Sequence, residues 1–246
     1  PCFLEAKIGE GKILPVSLDI GERKIGLKGT IDRVDVLDDK FIVIDYKTYK
    51  SADLSLKELY AGQKIQLYVY MRAVEKSISA KPCGVFYFPI FSSFTDDVSD
   101  RYKYKGQAGN SMETLCQIDD MVKTDPEKSV LPYKVDKQGN FNESVHLSTK
   151  AFDTLGDYAI EIATQGAKEI ADGFIRPTPL YGKCDKCDFA AICAYKGMNE
   201  RKLPKVSDTN VFELDKESGE QNAKENCGDT ATENVKADKG EEGARI

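Results

Sequence analysis

Two carboxylates and an amine at strand-like spacing are the residues best suited to chemistry here. Asp32 lies in Gly29–Asp35 (GTIDRVD), and Asp45 and Lys47 lie in Val43–Lys47 (VIDYK). Side chains two apart on a strand share a face, so Asp45 and Lys47 project together. If the two stretches pair antiparallel about Leu37–Lys40, Asp32 comes close to Asp45. Two acids and a lysine on one sheet face can hold a divalent cation and a water molecule. Oxygen donors of this kind suit Mg²⁺. Such an ion polarises a phosphate and makes water a stronger nucleophile. An amine alongside offsets charge developing on the phosphorus centre. An Asp–x–Lys pair alone is a weak signal, since salt bridges at strand ends produce it constantly.

A second group lies in Leu56–Lys76, which the periodicity predicts as one helix. At about 100° per residue, Leu56, Leu59, Leu67 and Val74 fall on one stripe, and Gln63, Gln66 and Tyr70 fall on it too. Amides on a core-facing stripe need hydrogen-bond partners. A sheet face carrying carboxylates and a lysine supplies them; solvent at the stripe's edge is the plainer explanation. Gln66 and Tyr70 are thus candidates to position water, lysine or phosphate.

The third group is Cys184-x2-Cys187-x5-Cys193. Thiolates at this spacing can share one zinc ion or an iron–sulfur cluster, either of which takes four ligands. Cys2, Cys83 and Cys116 are the available fourths, and none stands in a metal-like context. Seven cysteines without a secretory signal point to a reducing, cytoplasmic setting rather than a disulfide framework.

The elements that must carry these groups follow from pattern. Val16, Leu18 and Ile20 alternate with polar residues as a half-buried strand. Lys24–Val36 reads as a second strand and Lys40–Lys47 as a third, an antiparallel meander. Residues 1–12 carry no clear pattern. Cys83–Ile90 reads as a fourth strand, and 91–147 as a poorly patterned insertion. Within it, Arg101-Tyr-Lys-Tyr-Lys105 alternates basic and aromatic residues. That pattern can grip a nucleic-acid strand, although a solvated edge strand is its commoner origin. His146, the only histidine, lies in a polar segment and is expected at the surface. Ser148–Gly173 reads as a long helix capped at both ends. Gly21–Gly26 opens like a phosphate-binding loop, but Leu27 stands where lysine is required.

Net charge is −6, with eight basic and twelve acidic residues in 199–246. A stand-alone nucleic-acid binder is usually basic, so binding here needs a local positive groove or a partner. The polar tail from about residue 199 cannot bury enough surface to offset chain entropy and is expected to be disordered. No apolar run reaches the roughly 20 residues of a membrane span. The organisation predicted is one domain over 1–198 and an acidic tail over 199–246. The chain begins Pro1-Cys2 rather than Met, as a piece of a longer protein would.

Taken together, GTIDRVD, VIDYK, QKIQLYVY and C-x2-C-x5-C resemble the RecB-type PD-(D/E)xK nucleases that carry an iron–sulfur staple, in particular the nuclease domains of AddAB-type helicase–nucleases. The resemblance spans roughly residues 12–197. It implies an α/β, restriction-endonuclease-like core with an antiparallel meander, a helix and a further strand, then a C-terminal helix and the cysteine segment. It implies Asp32 and Asp45 as Mg²⁺ ligands, Lys47 as the catalytic lysine, and Gln66 and Tyr70 as a Q-x3-Y motif. Cys184, Cys187 and Cys193 would then be three ligands of a [4Fe–4S] cluster whose first cysteine lies far upstream. DNA and an AddA-like helicase–nuclease subunit are the implied partners, and processing of double-strand ends for recombination repair the implied role. A CRISPR-associated adaptation nuclease shares the acids, lysine and cysteines. A non-catalytic DNA-binding module retaining the sheet and a structural metal is the alternative of another class.

Overall fold

The computed structural model describes residues 2–48, 54–90, 102–142, 145–193 and 200–202. Its centre is a six-stranded mixed sheet in the order β1–β4–β5–β6–β7–β8. These strands are β1 (Phe3–Lys7), β4 (Thr30–Leu37), β5 (Lys40–Lys47), β6 (Lys81–Pro89), β7 (Lys105–Gly109) and β8 (His146–Leu147). A separate antiparallel hairpin joins β2 (Val16–Asp19) to β3 (Lys24–Leu27).

The apolar run of β5 explains its place in the middle. Phe41 and Val43 pack on one side with β4, α2 (Gln66–Glu75) and α5 (Thr149–Ala171). Ile42 and Ile44 pack on the other with Phe86, Leu115 of α3 (Met112–Ile118) and Val122 of α4 (Met121–Thr124). A strand buried on both faces has no polar side, and its sequence shows none. The hairpin β4–β5 turns at Asp38, whose φ of 53° is of the kind Asp tolerates. α5 starts where predicted, with the Ser148 hydroxyl accepting from the Ala151 amide, and ends at Gly173 with φ of 75°.

Several expectations need correction. The predicted second strand is two strands in different sheets, broken at Lys28-Gly29, so the three-strand meander from Val16 does not form. The unpatterned N-terminus instead supplies β1, antiparallel to β4. The predicted single helix is α1 (Leu56–Tyr60) and α2, because Gly62 adopts φ of 74° and stops the first. Gln63 therefore sits in the connector, outside both helices. The stretch 91–147 is no mere insertion, since β7 and β8 extend the sheet beyond β6.

His146 is buried rather than exposed. Its Nδ1 lies 3.1 Å from the Gly109 carbonyl, and its Nε2 accepts from the Lys134 amide. Burial lowers its pKa. The polar residues around it in sequence gave no sign that both ring nitrogens find backbone partners. Tyr104 packs against Phe86, and Tyr102 stacks on Phe88, so these aromatics serve protein packing. Arg101 lies outside the described residues. So does the tail beyond 202, but the expected tail begins with structure: Arg201 bridges to Leu180, and its amide donates to the Pro179 carbonyl. Among the described residues, no helix is long and apolar enough to cross a membrane.

Candidate active site

β4 and β5 bring the acids together through backbone register. Arg33 faces Ile44 at the end of the ladder, and Asp32 and Asp45 are each one residue further along. One of the bonds there comes from a side chain: Asp32 Oδ2 accepts from the Tyr46 amide at 2.7 Å. Asp32 shares its face with Val34, which lies opposite Val43, two residues before Asp45. The acids thus face the same side as α2. Asp45 is buried, and burial raises its pKa; the Lys47 ammonium opposes this shift, and Asp32 adds to it.

Lys47 projects beside Asp45, as i, i+2 spacing requires, and the two form an ion pair. Gln66, the first residue of α2, ties the group together. Its Nε2 donates to Asp45 Oδ1 at 3.1 Å and to the Tyr70 hydroxyl at 3.0 Å, and its Oε1 accepts from Lys47 Nζ at 3.3 Å. The amide on the helix stripe therefore meets the acid and lysine rather than solvent. Tyr70, one turn later, is buried against Gly29. A Cβ at Gly29 would lie 3.1 Å from the ring's Cε1 and 3.2 Å from its hydroxyl oxygen. Glycine there leaves room for the tyrosine.

One residue of this site went unnoticed in the sequence. Tyr87 lies directly across from Asp45 in the parallel β5–β6 ladder, and Lys47 Nζ stands 5.1 Å from its ring centroid. This is cation–π distance, in a nearly closed environment where such contacts are strongest. Its signal was the apolar run CGVFYFPI, where a tyrosine reads as core. Only the parallel register distinguishes it from its aromatic neighbours.

The residues present fit a divalent cation. Burial and the neighbouring Asp32 both raise the cost of ionising Asp45, whose enclosed Oδ2 lies against the Lys47 ammonium. A cation relieves both. The cysteine segment differs. Cys184 is half-buried in a short turn over Cys184–Lys186, while Cys187 and Cys193 are exposed, the latter ending α6 (Ala190–Cys193). The Cys184 pKa is raised, first by desolvation and then by Glu200 and the two other thiols. Among the described residues, no three His, Cys, Asp or Glu side chains are gathered to hold a metal. Cys83 is buried in the core, its Sγ at the Phe41 carbonyl, and burial pushes its pKa up to about 12. The expected cluster site is therefore not assembled.

The family model of the PD-(D/E)XK nuclease superfamily matches residues 3–194. Similar curated proteins include an ATP-dependent helicase/deoxyribonuclease subunit of Clostridium kluyveri, 29% identical over 84% of this chain and 20% of its own length. The same subunit of Alkaliphilus oremlandii is 30% identical over 76% of this chain and 18% of its own length. That of Clostridium tetani is 28% identical over 88% of this chain and 22% of its own length. The chain thus spans about a fifth of the length of these relatives. By the extent of the family match, it belongs to the PD-(D/E)XK nuclease superfamily.

Proposed function

We propose that this chain is the nuclease domain of a helicase–nuclease subunit and hydrolyses DNA phosphodiesters, as an exonuclease, with Mg²⁺ held by Asp32 and Asp45. The observation that carries this is the hydrogen-bonded set Asp45–Gln66–Lys47–Tyr70, closed on one side by Asp32. Divalent cations bound by such acids polarise the scissile phosphate and acidify water. The chain's own residues do the rest. Gln66 fixes Asp45 through Oδ1. Lys47, held by Asp45, Gln66 and the Tyr87 ring, orients the attacking water and stabilises negative charge on the phosphate. Water adds to phosphorus and gives up a proton, the P–O ester bond breaks, and the leaving oxygen takes up a proton, so that one water is consumed for each bond cut. Tyr70 and Gly29 fix the helix end that presents Gln66.

The relatives' names, as subunits of an ATP-dependent helicase/deoxyribonuclease, support an AddA-like helicase subunit and DNA as partners, and the role we propose for the whole protein is end processing for recombination repair. Cys184, Cys187 and Cys193 are the candidate ligands for a [4Fe–4S] cluster, with Zn²⁺ the alternative and the fourth ligand elsewhere. Nothing in the reaction at Asp45 depends on them. Asp45→Ala should reduce Mg²⁺-dependent cleavage of labelled duplex DNA by at least about 10³-fold, with an unchanged circular dichroism spectrum. Cleavage at the wild-type rate in that variant rejects the assignment.

A further inference from the structure

A recess of about 510 Å³ opens beside the candidate site, with Ser55, Tyr104, Lys105, Gly106, Gln107 and Lys134 among its lining residues. None of its described lining residues is acidic, although the chain as a whole carries a charge of −6. The sheet register ties this recess to the acids. Asp45 lies across from Tyr87, and Tyr87 lies across from Lys105. Residues directly opposite one another share a face, so the three form one row over β5, β6 and β7. Two strand spacings separate its ends, about 10 Å. At the per-strand rise of duplex DNA, that is about three nucleotides.

The floor of the recess is firmly built. Gln107 is buried; its Oε1 accepts from the Tyr68 hydroxyl at 3.0 Å, and its Nε2 donates to the Leu54 carbonyl at 3.4 Å. Tyr68 belongs to α2, the same helix that presents Gln66 and Tyr70. Gly106 adds no side chain, since a Cβ there would lie 2.0 Å from the Val85 carbonyl oxygen. Lys105 and Lys134 are exposed at this recess, contributed by separate segments of the fold.

We infer that this recess binds backbone phosphates of the substrate strand a few nucleotides from the bond that is cut, through Lys105 and Lys134. The inference rests on the nuclease reading and adds the path of the substrate to it. Lys105 is the part of Arg101-Tyr-Lys-Tyr-Lys105 that faces DNA, while the Tyr102 and Tyr104 rings pack against Phe88 and Phe86. Contacts to phosphate position a strand without reading its sequence, which suits end processing.

The test uses the full 246-residue chain with Lys105→Ala/Lys134→Ala. A control pair, Lys12→Ala/Lys150→Ala, removes equal charge from exposed lysines outside the recess lining. Binding of a fluorescein-labelled single-stranded oligonucleotide is followed by anisotropy in EDTA across a salt series. Loss of two phosphate contacts should flatten the slope of log K against log[salt] by about 1.4 and weaken binding about 25-fold near 0.1 M salt. The control pair should change neither by more than a third as much. With Mg²⁺, the recess variant should raise KM and leave kcat within about twofold. A slope equal to that of the control pair overturns the inference. The nuclease reading fails separately, through undiminished cleavage by Asp45→Ala, whatever the lysines do. Melting temperatures within a few degrees of wild type exclude misfolding as the cause.

Discussion

The acid pair and the cysteine array are two candidate ligand sets of similar sequence clarity and different structural fate. Asp32 and Asp45 sit on hydrogen-bonded neighbouring strands. Backbone register sets their separation, and Gln66 holds one of them through a side-chain bond. Cys184, Cys187 and Cys193 sit on a turn and a four-residue helix whose backbone bonds are all local. Phe189 and Ile192 beside them are 67% and 81% exposed, outside either core. Donors fixed by a sheet are in place before any ligand arrives. Donors on short turns depend on the metal itself to gather them, because metal-binding free energy is then folding free energy.

Amide exchange should expose this difference most strongly. β4 and β5 amides should exchange only by global opening, with protection of at least about 10³. Amides of 184–193 in metal-free protein should be protected by less than about tenfold. Anaerobic reconstitution with iron and sulfide should then protect that segment and give absorbance near 400 nm, roughly where thiolate-ligated iron clusters absorb. Uniform protection in the metal-free state breaks the comparison. Stoichiometric zinc without colour replaces the cluster with a zinc site.

Tyr87 sharpens the other side of the comparison, since it acts within the prebuilt set. Tyr87→Leu should lower kcat by about 5- to 30-fold, the worth of one desolvated cation–π contact. Tyr87→Phe, which keeps the ring, should restore it to within about twofold. Equal losses in both variants would assign the effect to the hydroxyl.

The smallest effect concerns His146, whose burial lowers its pKa. The unfolded chain therefore takes up a proton more readily than the folded one. Stability from this residue is complete above about pH 6.5 and declines below it, by at most about 1.4 kcal/mol per pH unit. Asp45, with its raised pKa, contributes the opposite sign. Chemical denaturation from pH 7 to 5 in an Asp45→Asn background isolates the histidine, which has no second histidine to confuse it. A flat profile would show that His146 is solvated.

Much of the site was legible because its geometry is local. The i, i+2 spacing of Asp45 and Lys47 and the i, i+4 spacing of Gln66 and Tyr70 survive whatever surrounds them. Gln63 was misplaced because Gly62, at positive φ, ended the first helix just before it. The role of 91–147 was hidden because β7, KGQAG, has neither an apolar run nor a clean alternation, although it lies between β6 and β8. Its pairing with β6 depends on Gly106 and on distant chain rather than on any alternation of its own.

Residue type and short-range period by themselves determined which side chains point together, where α5 is capped, and that an acid pair and lysine occupy strand ends. Only the tertiary structure decided that Tyr87 and Lys105 stand in line with Asp45, that His146 is enclosed, and that Cys187 and Cys193 are exposed while Cys184 is half-buried. Strand order, parallel register and burial are set by contacts between residues far apart in the chain, and no local spacing encodes those.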